Sequence, residues 1–338
     1  MAKLLEFVTD ELRYLNQRDT TMKSFSILSM LIVVIIAGGC GKESQEEGKA
    51  VEQPRQLIEV VATTGMIADM VKAVGGHFVN VTTFLGPNVD PHTYKPSRDE
   101  IDLMVNADVV FYNGLGLESE MTALLERMRD DVRTVALAEM LDSTLLIKAE
   151  GHDGTYDPHV WFDVRLWMTV VGQVRNILGD MDPEHAEVFF SDAEVYMDQL
   201  AELHDFVYSE ANILPAERRV LITAHRAFNY FGRAYGFDVR ALQGINTGAG
   251  TPDIKNIVRI ITTYKVPFVF AEKSVSPEGM EAVKAAVAEQ GYEIEISELY
   301  SDATGDPSKP QGTYIGMVQH NIQTIVAALG GKRQMMVP

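Results

Sequence analysis

The sequence has a single cysteine, Cys40, among its 338 residues. An intrachain disulfide is therefore excluded, and so is a zinc or iron–sulfur site built from several thiolates. Basic residues are also scarce, because 29 Lys and Arg face 48 Asp and Glu, which gives a formal net charge of −19. Nucleic acid is not an expected partner, since phosphate binding needs a basic face. Any metal site in this chain must be built from histidine and carboxylate side chains.

Long apolar runs are lacking as well, apart from one near the amino end. Lys23 precedes the apolar residues 25–37, which are followed by Gly38-Gly39-Cys40. About 13 apolar residues are typical of a secretory signal and are too few for a membrane-spanning helix. Small residues before the only cysteine resemble a bacterial lipoprotein box. We therefore expect Cys40 to be lipidated and to become the mature amino terminus; the alternative is an uncleaved anchor.

The sequence divides into six regions. Residues 1–39 form the predicted signal region. Its first 21 residues mix both charge signs, unlike a basic signal start, so we expect translation to begin at Met22. Lipidated Cys40 and a polar, flexible tether occupy residues 40–56. An amino-terminal lobe is predicted over 57–182, a linking helix over 183–212, a carboxy-terminal lobe over 213–331 and a tail over 332–338.

Both predicted lobes alternate β-rich runs with helical patterns, which is typical of parallel sheets covered by helices. The clearest strand candidates are Leu57–Thr63, Val79–Leu85, Ala107–Asn113, Val220–Thr223, Val239–Leu242, Phe268–Glu272 and Glu293–Leu299. The expected fold class is therefore α/β, with two parallel-sheet lobes. Between them, apolar residues recur at spacings of three and four from Phe189 to Val207, which predicts one long rigid helix that joins the lobes. Asp182 is expected to cap this helix and Pro183 to begin it.

Four polar residues occupy positions suited to a ligand site. His92 follows the strand that ends near Leu85, His225 ends the run Val220–His225, and Asp302 follows the strand that ends near Leu299. His159 lies in a second Asp-Pro-His tripeptide, which repeats the one at His92. In open α/β sheets, ligands bind beyond the carboxyl ends of strands. The four side chains, two from each lobe, are expected to converge in the cleft on a divalent metal such as Zn²⁺ or Mn²⁺.

The residues alone leave other interpretations open. The repeated Asp-Pro-His can mark two helix-entry turns, and Asp302 can cap a turn. No close pair such as His-x-x-x-His strengthens the metal hypothesis. His152 lies in a polar loop and is either a solvated residue or an aid to metal recruitment. The other histidines, His77, His185, His204 and His320, are expected to have no part in the site.

Longer motifs resemble those of a known family. They are Val-Asp-Pro-His-x-Tyr at 89–94, Asp-Pro-His-Val-Trp-Phe-Asp at 157–163, Thr-Ala-His-x-Ala-Phe-x-Tyr-Phe at 223–231 and Ser-Asp-Ala-x-Gly at 301–305. With them the chain resembles the metal-binding receptors of bacterial ABC importers for zinc, manganese or iron, the TroA-like cluster. The resemblance implies two α/β lobes tied by one long helix and metal ligands at His92, His159, His225 and Asp302.

The resemblance further implies a non-enzymatic function. The chain would be an extracytoplasmic, lipid-anchored and monomeric protein that carries one Zn²⁺ or Mn²⁺ ion to an ABC permease. Three histidines with Asp302 are most similar to the treponemal-type receptor. Arg226 and Lys273 depart from the residues common in the family and are expected to tune the surroundings of the metal. The alternatives are a secreted zinc hydrolase, for which no His-Glu-x-x-His base motif is present, and a surface adhesin of the same fold.

Overall fold

The computed structural model describes residues 57–149, 155–245 and 253–330, all within one compact unit over Pro54–Pro338. The predictions for the signal region, for lipidated Cys40 and for the tether, like those for His152 and the tail, concern residues outside these ranges. Within the described ranges, no helix combines the length and the apolar character that crossing a membrane requires.

The first half of the described chain forms a four-stranded parallel sheet. Its strands are β1 (Ile58–Ala62), β2 (Val79–Thr83), β3 (Val109–Tyr112) and β4 (Arg133–Ala136), in the spatial order β2-β1-β3-β4. Helices α1 (Gly65–Gly75), α2 (Arg98–Val105) and α3 (Thr122–Met128) connect them. All four residues of β3 are apolar and buried, as expected for a strand covered on both faces. The sequence pattern did not indicate β4, a short strand at the sheet edge.

Two long helices follow this sheet, α4 (Val164–Met181) and α5 (Ala186–Ala211). The predicted apolar stripe of α5 is buried, and the helix packs against α1 and α4. Its 26 residues span about 39 Å at about 1.5 Å per residue. The predicted start at Pro183 was wrong. Asp182 instead ends α4, and its carboxylate lies 2.6 Å from Nδ1 of His185 in the turn before α5.

The second half repeats the first architecture. Strands β5 (Val220–Thr223), β6 (Asp238–Ala241), β7 (Phe268–Glu272) and β8 (Glu295–Leu299) form a parallel sheet in the order β6-β5-β7-β8. The remaining helices are α6 (Asn229–Tyr235), α7 (Ile254–Tyr264), α8 (Glu278–Ala288) and α9 (Tyr314–Gly330), and α9 packs against α5. In each sheet the strand order reverses between its first and third strands, which is where α/β sheets form ligand crevices. The predicted fold class, two parallel-sheet lobes with a long linking helix, is confirmed.

Candidate metal centre

The structure brings the four predicted side chains together. His92 follows β2, His225 lies two residues beyond β5, and Asp302 lies three residues beyond β8. His159 comes from the connection between β4 and α4, at the start of the single turn Val160–Phe162. Each of the four exposes at most 2% of its surface. The four residues are therefore not solvated loop residues. Burying a polar group costs free energy unless the group has a partner, so their burial indicates that they interact with one another or with a ligand.

The ring nitrogens Nε2 of the three histidines and the carboxylate oxygens of Asp302 lie close together. Nε2 of His159 lies 3.3 Å from Nε2 of His92 and 3.3 Å from Nε2 of His225. The Asp302 carboxylate completes the group, with Oδ1 at 3.4 Å from Nε2 of His159 and Oδ2 at 3.3 Å from Nε2 of His225. A tetrahedral ion with bonds of about 2.0–2.1 Å keeps its ligand atoms about 3.3–3.4 Å apart. These separations therefore match a closed tetrahedral site.

A carboxylate orients His159 from its far side. Oδ1 of Asp157 lies 2.7 Å from Nδ1 of His159 and accepts a hydrogen bond from its backbone N–H. Asn229 donates to Oδ2 of the same carboxylate at 2.9 Å, and the Tyr230 hydroxyl donates to the Asp157 carbonyl at 2.9 Å. With Nδ1–H directed at Asp157, Nε2 presents its lone pair to the cluster. Asn229 and Tyr230 extend this support into the second lobe.

Glu272 has the same role for His225. It is the last residue of β7, and its Oε2 lies against Nδ1 of His225. Its Oε1 accepts the His225 backbone N–H at 2.9 Å. The two strands that carry this pair, β5 and β7, are neighbours at the point where the strand order reverses. Two of the three imidazoles thus have a carboxylate on Nδ1, an arrangement that fixes the tautomer and raises ligand basicity.

His92 is held differently, through its backbone. Its N–H donates to Oδ1 of Asp90 at 2.8 Å, and its carbonyl accepts from the Ser119 hydroxyl at 2.5 Å. Within the described ranges, its buried Nδ1 has no hydrogen-bond partner. The orientation of this imidazole therefore depends on the conformation of its loop rather than on a carboxylate at Nδ1.

Ser119 belongs to a loop that is itself fixed by a buried carboxylate. Glu118 accepts from the backbone N–H groups of Asn113 and Gly114 at 2.8 and 3.1 Å and from the Thr63 hydroxyl at 2.8 Å. Burial raises the pKa of Glu118, although these hydrogen bonds favour the ionised form. Glu118 thus joins the ends of β1 and β3 in the first lobe, as Glu272 joins β7 to His225 in the second.

Asp302 is bound mainly within its own lobe. Its Oδ2 accepts from the hydroxyls of Ser274 and Ser301, each at 3.3 Å. The Trp161 indole N–H donates to the Ser301 carbonyl at 3.1 Å, and its ring packs edge-on against His159. Asp302 and His159 are therefore linked across the lobes by Trp161 as well as by direct contact.

The charges of the cluster favour a cation. Burial lowers the pKa of His92 to about 3, so this imidazole is neutral and can act as a ligand at neutral pH. For His159 and His225, burial opposes protonation, but the carboxylates beside them outweigh it and raise both pKa values. Burial favours a neutral Asp302, but His225 and His159 outweigh that effect and hold its pKa well below the ordinary value. The metal-free site therefore contains an ionised carboxylate beside imidazoles that bind protons.

The other candidate residues are not among the four side chains of this cluster. His185 contacts Asp182, Nδ1 of His204 lies 3.2 Å from the Tyr235 hydroxyl, and His320 stacks edge-on with Tyr300. The Lys273 ammonium pairs with Glu298 at the surface, and Arg226 is half-buried beside His225. In the three described ranges, no second group of His, Cys, Asp and Glu side chains has a geometry that would hold a metal ion.

Sequence reasoning missed three functional partners, Glu272, Ser274 and Glu118. A signal for Glu272 was available, because a buried strand that ends in a carboxylate is typical of a site residue in a parallel sheet. Ser274 and Glu118 had no comparable signal. Ser274 contacts Asp302, 28 positions away, and Glu118 contacts Thr63, 55 positions away, so both depend on residues distant in the chain.

Comparison with known proteins identifies the family of this chain. The model of the family described as zinc-uptake complex component A, periplasmic (ZnuA) matches residues 60–328. The chain belongs to the ZnuA family. Among similar ZnuA-type proteins, the manganese-binding lipoprotein MntA of Bacillus subtilis is 39% identical over 91% of this chain and 100% of its own length. The zinc-binding protein TroA of Treponema pallidum is 42% identical over 80% of this chain and 88% of its own.

A solved structure within the same group has the same fold. The periplasmic zinc-binding protein TroA from Treponema pallidum superposes with a TM-score of 0.79 at 41% identity, covering 81% of this chain and 99% of its own. The family expected from the four sequence motifs is therefore confirmed.

Proposed function

We propose that this chain is an extracytoplasmic binding protein that captures one Zn²⁺ or Mn²⁺ ion and delivers it to an ABC permease. The ligands in this proposal are Nε2 of His92, His159 and His225 together with the Asp302 carboxylate. One observation carries the proposal: four buried ligand atoms, one from each residue, lie within 4.8 Å of one another. Three neutral imidazoles and one carboxylate form a donor set that suits either ion.

The same proposal includes export and anchoring. Cys40 would carry the lipid, residues 1–39 would be removed, and the receptor would act as a monomer beside the permease. The names of the relatives support this part, since MntA of Bacillus subtilis is a manganese-binding lipoprotein. PsaA of Streptococcus mitis is named as a substrate-binding lipoprotein of a manganese ABC transporter.

The donor set favours zinc in a direct competition. Nitrogen-rich sites bind Zn²⁺ more tightly than Mn²⁺ by the Irving–Williams order, while a carboxylate keeps Mn²⁺ acceptable. Of the relatives named above, one is called zinc-binding, one manganese-binding and one a lipoprotein of a manganese ABC transporter. We therefore propose that the purified protein prefers zinc and that metal supply decides the cargo in the cell.

Binding rather than catalysis fits the placement of the carboxylates. A catalytic zinc keeps one open position and needs a base beside it. Here Asp302 occupies the fourth position, and Asp157 and Glu272 are both engaged with imidazole Nδ1 atoms. Peptide or ester turnover that follows zinc occupancy would instead favour the hydrolase alternative.

Elemental analysis of the purified protein tests the proposal. After exposure to Zn²⁺ or Mn²⁺ and removal of unbound ions, we expect about one ion per chain, as a single tetrahedral site requires. In the cell, deletion should cause a growth defect under metal starvation that excess metal rescues. Substoichiometric binding of both ions at saturating concentration would contradict the proposal.

Glu272→Gln should lower zinc affinity by about 10–100-fold, the usual effect of losing a partner of a metal-binding histidine. A glutamine has one acceptor where Glu272 faces two donors, the backbone N–H and Nδ1–H of His225. If its amide N–H₂ faces Nδ1, the ring proton is shifted to Nε2 and blocks the ligand. Competition with a zinc chelator measures the change. Glu298→Gln, which alters the exposed partner of Lys273, is the matched control and should leave affinity unchanged.

Metal affinity should rise with pH. The pKa values of His159 and His225 are raised in the metal-free protein, so these imidazoles keep their protons to a higher pH than an ordinary histidine does. Metal binding must displace those protons, and the competition weakens as pH rises through the raised pKa values. Titrations at about pH 6, 7 and 8, with calorimetry in buffers of different ionisation enthalpy, measure both the affinity and the protons released. A flat affinity without proton release would contradict the assigned protonation states.

A further inference from the structure

We propose that Gly65 determines how closely the Asp302 carboxylate approaches the histidines, and thereby how well the site holds an oxygen-preferring ion. The inference rests on the proposed function, because it concerns the strength of one of the four ligands. It assigns a specificity role to a residue of the first lobe that contacts no metal.

Gly65 is the point where the loop of Asp302 meets the first lobe. It is the first residue of α1 and follows the capping residue Thr64. A Cβ atom at position 65 would lie 2.2 Å from Oγ1 of Thr304, 3.2 Å from its Cβ and 3.3 Å from its Cγ2. The first separation is far below a normal contact, so any side chain here must displace Thr304. All three nearest atoms belong to that single residue of the second lobe.

Thr304 lies two residues from Asp302 in a loop with little room to adjust. Ser301, Asp302, Ala303 and Thr304 are all buried. At the end of this loop, the Gly305 N–H donates to the Gln311 carbonyl at 2.7 Å. A displacement of Thr304 is therefore expected to be transmitted to Asp302 rather than absorbed at a mobile tip.

The direction of that displacement follows from the contacts of Asp302. Its Oδ2 is bonded within its own lobe, to Ser274 and Ser301, and faces His225 of the same lobe. Its Oδ1 faces His159 of the first lobe at 3.4 Å. A side chain at position 65 would push the loop away from the first lobe, so the separation from His159 is the one that lengthens.

A retreating carboxylate affects the two ions unequally. Zn²⁺ retains three imidazole nitrogens and can take water as a fourth ligand. Mn²⁺ depends more on oxygen donors, so it loses more when the only carboxylate in the cluster moves out of bonding distance. Gly65 would therefore support manganese binding more than zinc binding.

The test is Gly65→Ala in the full-length protein, with Mn²⁺ and Zn²⁺ affinities measured by competition titration. Overpacking of a tight contact leads us to expect a loss of about tenfold or more for Mn²⁺ and a smaller loss for Zn²⁺. Thr304→Ala in the Gly65→Ala background removes Oγ1, the atom that overlaps most, together with Cγ2, and should restore most of the Mn²⁺ affinity. Gly172→Ala is the matched control, because a Cβ at position 172 meets no atom within 4 Å.

Each outcome bears on the inference. An unchanged Mn²⁺-to-Zn²⁺ affinity ratio in Gly65→Ala, or a loss of Mn²⁺ affinity that Thr304→Ala does not rescue, would overturn it. If Gly65→Ala fails to fold but the double variant folds and binds Mn²⁺, the Gly65–Thr304 contact is supported; if both fail to fold, it is overturned. Absence of binding by the unsubstituted protein would overturn the proposed function as well, which separates the two failures.

Discussion

His159→Ala should lower zinc affinity by more than about a hundredfold, beyond the effect expected for losing a supporting carboxylate. His159 is the central residue of the proposed site, since its Nε2 lies within 3.4 Å of a side-chain nitrogen or oxygen of His92, His225 and Asp302. Alanine removes that nitrogen and leaves the buried Asp157 carboxylate without its imidazole partner. Elemental analysis after dialysis should find little metal in the variant.

A second histidine provides the control for this substitution. His204 is a buried histidine of α5 whose partner is the Tyr235 hydroxyl, remote from the four ligands. His204→Ala makes the same chemical change and should retain about one metal ion per chain, as the intact site does. Thermal unfolding of both metal-free variants separates lost ligation from lost stability. Full occupancy in His159→Ala would end the assignment of the site.

His225→Glu should shift the preference from zinc towards manganese by about tenfold or more, because a carboxylate oxygen replaces an imidazole nitrogen among the ligands. Competition titration of the two ions measures the ratio directly. The result expected for Zn²⁺ alone is a weaker site, since the number of nitrogen donors falls from three to two.

The surroundings of His225 modify this second prediction. Glu272 lies against the imidazole, so a glutamate at position 225 brings two carboxylates together in a buried environment. Like charges in contact raise the pKa of one of the two groups, and the resulting proton competes with the metal. His225→Glu with Glu272→Gln should therefore bind Mn²⁺ more tightly than His225→Glu alone. Equal Mn²⁺ affinities, or an unchanged ion preference in both variants, would contradict the prediction.

The three imidazoles of the proposed site differ in the contacts that orient them. His159 and His225 each have a carboxylate beside Nδ1, whereas His92 is held through its backbone and its buried Nδ1 has no hydrogen-bond partner in the described part of the chain. A ligand without such a partner has a less defined tautomer and orientation. His92 is therefore the imidazole whose position depends most on the arrangement of its own loop.

Local sequence determined much of this protein. The β-rich runs marked seven of the eight described strands. The apolar run is clearest in β3, whose residues are all buried, as is typical of a parallel strand covered on both faces. The spacing of Phe189, Ala193, Tyr196, Leu200 and Val207 indicated the long helix, because a buried face recurs at the helical period. The four residues of the proposed site were also predicted, since three come from the connections that follow strands β2, β5 and β8 and the fourth repeats the Asp-Pro-His tripeptide. Each of these signals can be recognised from the order of residues along the chain, without knowledge of how distant segments pack.

Tertiary structure alone decided the rest. Four-residue β4 becomes a strand through pairing with β3, and the turn at Asp182–His185 delays the start of the long helix. The contact of Glu272 with His225 joins residues that are 47 positions apart, and that of Gly65 with Thr304 joins the two lobes. Such pairings depend on how the chain folds back on itself, so no local pattern encodes them. The sequence alone thus indicated which residues could bind a metal. The packing of the lobes decided how each of these side chains is oriented and how closely it approaches the other three.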